Sequence, residues 1–309
     1  MPELGGATLR RLLKRFDRVE ELFQATELEL AALPRLAPTI IQHLPQLSVD
    51  HASAELEQLR QQGIGLLTWD DPNYPAPLFD LASPPPVLFW RGHPNWGTEI
   101  LPASAHGAEV STISDGGQVA IVGSRQVSDR SRVMARRLAL ELADRGVTIV
   151  SGLALGIDQA AHQGALDSAH GRTVSVLGNG LTTIYPPQNS PLAEQIIKQE
   201  HGLLLSEQRP ESPAEPSHLM RRNRIIAALS QAVIVIEANQ NSGALEAVRQ
   251  AQKLGRRLYA YPGSLGTDWM LAHTAAIPLV WNVSQADMLV TQIRHPSRQP
   301  VPVQPRLFE

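Results

Sequence analysis

The chain has 309 residues, a formal net charge of −3 and no cysteine; this excludes disulfides and thiolate metal sites and argues against wrapping nucleic acid by overall basicity. No uninterrupted apolar stretch approaches the roughly 20 residues of a membrane span and the N-terminus lacks a charged-then-apolar secretory pattern, so a cytoplasmic protein with no membrane partner is expected. The length suffices for one large α/β core and a small accessory domain, and any contact with a polyanion must be local.

Residues 1 to about 50 show helical spacing of apolar residues, Leu9, Leu12, Leu13 and Phe16, then Leu22 and Phe23, then Leu28, Leu30 and Leu33, and predict a small helical domain. A polar helix over 51–62 and a strand from Ile64 to Trp69 follow. The proline-rich segment 71–92 ends in an apolar strand, and the small, polar, aperiodic stretch 93–117 predicts a flexible insertion.

From Val119 strands and helices alternate, the pattern of a parallel sheet covered on both faces. The apolar run Val119–Val122 breaks at Gly123-Ser124-Arg125, and Ser128 or Asp129 is placed to cap a helix carrying Met134, Leu138 and Leu142. Backbone N–H groups, a helix N-terminus and a cation then converge at a phosphate-sized turn. It lacks GxGxxG and the Walker lysine, so it specifies no nucleotide. Further strands are expected at Val147–Val150, Thr173–Leu177, Leu203–Leu205, Val233–Ile236 and Leu258–Tyr261, with a last helix over 284–293, after Ile277–Trp281, and a proline-rich disordered tail over 294–309.

Between these strands lie SGLALGID from Ser151 to Asp158, His162, the Gly178-Asn179-Gly180 turn, Tyr185-Pro186 with Asn189, Ser206-Glu207, HLMRRNRIIAALS from His218 to Ser230, Asn241-Ser242-Gly243, and YAYPG ending at Gly263. In this order and spacing the series resembles the DNA-processing protein A family, also called DprA or Smf, over residues 63 to 282. The resemblance implies an extended Rossmann-like domain that binds single-stranded DNA, forms a homodimer and helps load the RecA recombinase during natural transformation, without catalysis, metal or cofactor. It also implies a SAM-like or helix-hairpin-helix module over 1–50. The winged helix that many members carry at the C-terminus is expected to be absent, since the chain ends soon after residue 293.

Ligands of such sheets bind outside the carboxyl ends of the strands. The expected DNA- and phosphate-binding residues are therefore Gly123, Ser124, Arg125, Ser151, Gly152, Gly156, Gly178, Asn179, Gly180, Asn189, Arg221, Asn223, Arg224, Ser242 and Gly243. The glycines allow close backbone approach, either to a nucleic-acid strand or to neighbouring elements. Arg221, Arg222 and Arg224 repel one another unless an anion or the nearby carboxylates of Glu207 and Glu237 neutralise them. Arg132 and Arg136 either extend a basic strip or form a solvated helix face. Asp158 and His162, spaced i,i+4, read as a helix-capping Asp hydrogen-bonded to a structural His, because no third ligand or nucleophile is nearby.

The chain departs from the family pattern at Arg130-Ser131, at Ser190 where a basic residue is usual, and in a shortened loop after Gly263 with Asp268 in place of Asn. The rival reading is a nucleotide-binding or phosphoribohydrolase-like Rossmann protein, whose PGGxGTxxE signature is matched by Pro262 to Met270. There Met270 replaces the catalytic glutamate, and a thioether cannot activate water as a carboxylate can. Candidate contact surfaces for a partner are Leu245 and Val248 in helix 243–254 and Met288 and Ile293 in the last helix, each either core or interface. Gln304, Leu307 and Phe308 resemble the short peptide that docks into the bacterial sliding clamp.

Overall fold

The computed structural model describes residues 6–16, 19–34, 36–44, 49–93, 117–240, 242–280 and 283–295. The predicted insertion over 93–117 therefore lies almost wholly outside the described residues, as do Asn241, Trp281 and the tail with Gln304, Leu307 and Phe308.

The sheet has nine strands in the order β1-β2-β6-β5-β4-β3-β7-β8-β9: Ile64–Thr68, Val87–Gly92, Gln118–Val122, Thr148–Ser151, Thr173–Leu177, Gly202–Ser206, Ala232–Val235, Arg257–Ala260 and Ile277–Pro278. Strands β3 to β9 pair in parallel, as the alternating pattern predicts. The two strands before Val119 form an antiparallel edge: β1 pairs antiparallel with β2, and β2 antiparallel with β6. The connection from β1 to β2 contains one short 3₁₀ turn, Ala76–Asp80, and no α-helix of the kind that usually crosses over between parallel strands.

Side-chain alternation along the strands divides the core. Ala120 and Val122 of β3 and Val233 and Val235 of β7 face one layer, packed on α10 (Asn223–Leu229), α11 (Ala244–Lys253) and α12 (Leu265–His273). Val119, Ile121, Ala232 and Ile234 face the other, against α6 (Asp129–Ala143), α7 (Ile157–Asp167) and α13 (Val283–Arg294). Ser128 caps α6, its hydroxyl accepting from the Ser131 N–H. A third cluster joins α5 (Val49–Gln61) and α8 (Ser190–Lys198) to the antiparallel edge. The N-terminal helices α1 (Gly6–Arg15), α2 (Val19–Gln24), α3 (Glu27–Ala31) and α4 (Pro38–His43) close on Leu12, Leu22, Leu30 and Ile40.

Three expectations at helix surfaces resolve. Leu245, Val248 and Ile293 belong to the core, whereas Met288 is exposed. Arg136 forms a two-point pair with Asp167 and Arg132 pairs with Asp129, so these two cations are locally neutralised rather than a basic strip. Met270 is fully buried in the main core. Met270→Ala is expected to lower stability by about 2–5 kcal/mol through lost burial and a residual cavity, read as a fall in the urea midpoint; a change under about 1 kcal/mol would mean that the site collapses around the smaller residue.

Candidate nucleic-acid interface

From β3 the chain steps one way through β4, β5 and β6, then returns to the other side of β3 as β7, β8 and β9. The loops after β3 and β7 consequently run apart, and the opening between them is the topological switch point at which such sheets bind ligands. A cleft of about 650 Å³ lies there, and a smaller pocket of about 260 Å³ adjoins it across Arg125, Ala154, Tyr185, Leu219 and Arg222.

Its floor is a buried ion pair. Arg222 is 5% exposed and Asp158 4%, with Nη2 of Arg222 3.7 Å from Oδ2 of Asp158. Arg222 also donates from Nη1 to the carbonyl oxygens of Gly152, at 2.6 Å, and Val176, and from Nε to Oδ1 of Asn223. Asp158 accepts from the backbone N–H groups of Gly152 and Ala154. Burial pushes the Asp158 carboxyl upward against the opposing pull of Arg222. Burial likewise brings the Arg222 guanidinium down to about 10; Asp158 opposes that shift and Arg125 adds to it. Arg125 is thus a second positive charge acting on the same cleft. It is exposed and makes no hydrogen bond or ion pair among the described residues.

Two glycines are required here by space. A Cβ on Gly152 would lie 2.0 Å from the Arg222 guanidinium, and one on Gly156, whose φ is +81°, would lie 2.4 Å from the carbonyl oxygen of Ser124. Ser124 takes its backbone bond to Glu237 and accepts from the Asn239 N–H. Glu237 in turn accepts from the N–H and hydroxyl of Ser128. Burial would raise the Glu237 carboxyl, but the hydrogen bonds from Ser131 and Ser128 prevail and lower it.

Of the expected residues, Gly123, Ser124, Arg125, Asn223, Ser242 and Gly243 line the cleft, and Gly152 the adjoining pocket. The others stand behind it. Ser151 is fully buried and donates to the Ile121 carbonyl. Asn179 donates to the carbonyls of Gly180 and Thr183, and Asn189 to that of Leu153. Gly178 packs on the backbone of Leu219, and Gly180 on the carbonyls of Arg209 and Pro210. Arg221 and Arg224 both bond Glu207, and Arg224 is largely buried in doing so.

Arg222 is the residue that the spacing argument undervalued. A signal was present: Arg222, Ile225, Ile226 and Leu229 fall at i, i+3, i+4 and i+7, so Arg222 shares the apolar stripe while Arg221 and Arg224 leave it. Asp158 also departs from expectation, reaching back to two backbone N–H groups and Arg222 rather than to His162. The His162 ring instead meets Thr173, Nδ1 to Oγ1 at 2.7 Å. Because the Thr173 hydroxyl donates to the Ile149 carbonyl, Nδ1 carries the imidazole proton.

The family model of DNA recombination-mediator protein A matches residues 106–284. The chain belongs to that family. The protein Smf of Synechocystis sp. is 37% identical over 262 residues, 84% of this chain and 62% of that protein. The DNA processing protein DprA of Bacillus subtilis is 36% identical over 210 residues, 68% of this chain and 64% of that protein. The chain therefore spans somewhat under two thirds of the length of these relatives. The crystal structure of DprA from Streptococcus pneumoniae superposes with a TM-score of 0.69 at 28% identity, covering 89% of this chain and 90% of that one. DprA from Helicobacter pylori, whose structure is described as giving insight into a single-stranded DNA binding mode, superposes with a TM-score of 0.62 at 29% identity, covering 74% and 96%. In this chain residues of the GSR turn and the start of the RNRII helix line one cleft.

Burial lowers the His162 imidazole from 6.5 to about 3, with Arg222 adding to the effect. The native ring stays neutral while the unfolded one takes up a proton, so this contribution to stability is complete above pH 6.5 and is lost as pH falls toward about 3. The slope it adds is at most about 1.4 kcal/mol per pH unit. In urea titrations across that window, His162→Gln is expected to be less steeply acid-labile than the parent by close to one proton. Equal slopes would show that the imidazole is protonated in the native state.

Proposed function

We propose that the chain binds single-stranded DNA with little sequence preference, a phosphate lodging against Arg125 at the switch-point cleft. The observation that carries this reading is a cation with no carboxylate partner among the described residues. Arg125 is exposed on the cleft wall and acts repulsively on the buried Arg222, and an anion between the loops relieves both. Ser242 and Asn239, on the loop after β7, also line the cleft. Phosphate contacts carry no base information, which gives affinity without sequence choice.

Family membership and the subject of the H. pylori structure support the same ligand. On this reading the chain is a mediator in DNA recombination: as a cytoplasmic homodimer it presents the bound strand to RecA during natural transformation and turns over no substrate. The buried Met270 supports binding over N-glycosidic hydrolysis, because the position of the hydrolase glutamate is a thioether inside the core.

Arg125→Ala should weaken oligo-dT and mixed-sequence oligonucleotides by the same factor and lower the slope of log affinity against log salt by about 0.7, the loss of one single-strand phosphate contact. Fluorescence anisotropy titrations across a salt series measure both. Unchanged affinity and slope would refute the assignment.

A further inference from the structure

Strand β1 is antiparallel to β2 and β2 to β6, so β1 points the same way as β6. Trp69, directly after β1, consequently stands on the same carboxyl edge of the sheet as Glu207, directly after β6, and as the cleft. The edge from β1 to β3 crosses five strand steps, about 24 Å at about 4.8 Å per step.

Helix α1 meets this edge. The Arg10 guanidinium lies 4.9 Å from the centre of the Trp69 ring, a contact that orients the cation without cancelling its charge. Lys14, one turn further along, is exposed and makes no ion pair among the described residues. Between α1 and the cleft, Arg221 and Arg224 share the single carboxylate of Glu207, with the Arg221 side chain 56% exposed. Burial raises the Tyr74 hydroxyl, and Arg224 and Arg10 both act on it electrostatically. Helix α1 carries Arg10, Arg11, Lys14 and Arg15 and no carboxylate, and Arg125 has no carboxylate partner among the described residues, in a chain whose overall charge is negative; the loop after β6 adds the exposed carboxylates Glu211 and Glu215. Asp70, exposed beside Trp69, is the carboxylate that opposes a polyanion there.

We propose that the bound strand does not stop at the switch-point cleft but runs along the carboxyl edge of the sheet, past Arg221, to a second phosphate-binding surface on α1 formed by Arg10 and Lys14. This extension rests on the single-stranded DNA reading. It makes the N-terminal helices part of the DNA path.

The test uses the full chain and two lengths of oligo-dT, about 4 and about 16 nucleotides, the limits of site size typical for single-strand-binding modules. Arg10→Gln with Lys14→Gln should leave affinity for the short oligomer unchanged. For the long one it should lower the salt slope by about 1.4, two single-strand phosphate contacts, while Asp70→Asn should tighten the long oligomer only. Lys14 and Asp70 are exposed and Arg10 is half-buried against Trp69, and equal thermal melting of parent and variants verifies folding. If Arg125→Ala weakens both lengths while the α1 variants weaken neither, the second surface is overturned and the cleft stands. If Arg125→Ala weakens neither, the cleft reading fails on its own, whatever the α1 variants do.

Discussion

The Arg222 guanidinium is buried where three chain segments end, and it stays there because the directions it faces offer oxygen. Two carbonyls at the ends of β4 and β5, the amide oxygen of Asn223 and the carboxylate of Asp158 surround it. The planar fork of an arginine reaches several acceptors at fixed angles, which a lysine ammonium on a flexible stem does not. Removing one partner would leave the other charge buried and uncompensated, at a cost of roughly 3–5 kcal/mol. The same group dictates a glycine at 152, and through Asn223, whose side-chain amide donates to the Gly243 carbonyl, it ties the cleft floor to the loop after β7.

Polar residues at this edge consequently divide into a frame and a lining. Ser151, Asn179, Asn189 and Ser206 spend their donors on backbone carbonyls of neighbouring strand ends and loops, where an unpaired group would be costly. Because the frame is hydrogen-bonded internally, the loops carrying Ser124, Arg125 and Ser242 are held open toward solvent with little need for a ligand to order them. Glu237 contributes from the other side: by holding Ser128, the cap of α6, it fixes the turn that aims Arg125.

Much of this was legible in the sequence, for identifiable reasons. The strand Thr173–Leu177 was delimited to the residue because a buried parallel strand is a continuous apolar run between turn signals. Residue type and order assign the GSR turn and the RNRII helix to the carboxyl edge, and residues of both line one cleft there. Strand direction at β1 and β2 was not legible, since periodicity reports burial and not pairing. Nor was the division of labour among the arginines, because charge alone does not say which of three neighbours turns inward; the helical stripe through Arg222 did carry that information. The i,i+4 spacing of Asp158 and His162 set their proximity along one helix face but not their partners. Those were decided by a strand end, Gly152, and by Thr173 on the next strand, both remote in sequence from the helix.

Hydrogen–deuterium exchange of the full chain, with and without a saturating oligo-dT, shows whether the loops around the buried Arg222–Asp158 pair form the strand-binding cleft. Bound DNA should slow exchange in the loops after β3 and β7, at Ser124 to Gln126 and at Asn239, Gln240, Ser242 and Gly243, while the α6 and α7 face opposite α10 to α12 is unchanged. Protection confined to that opposite face, with both loops exchanging as in the free protein, would contradict it.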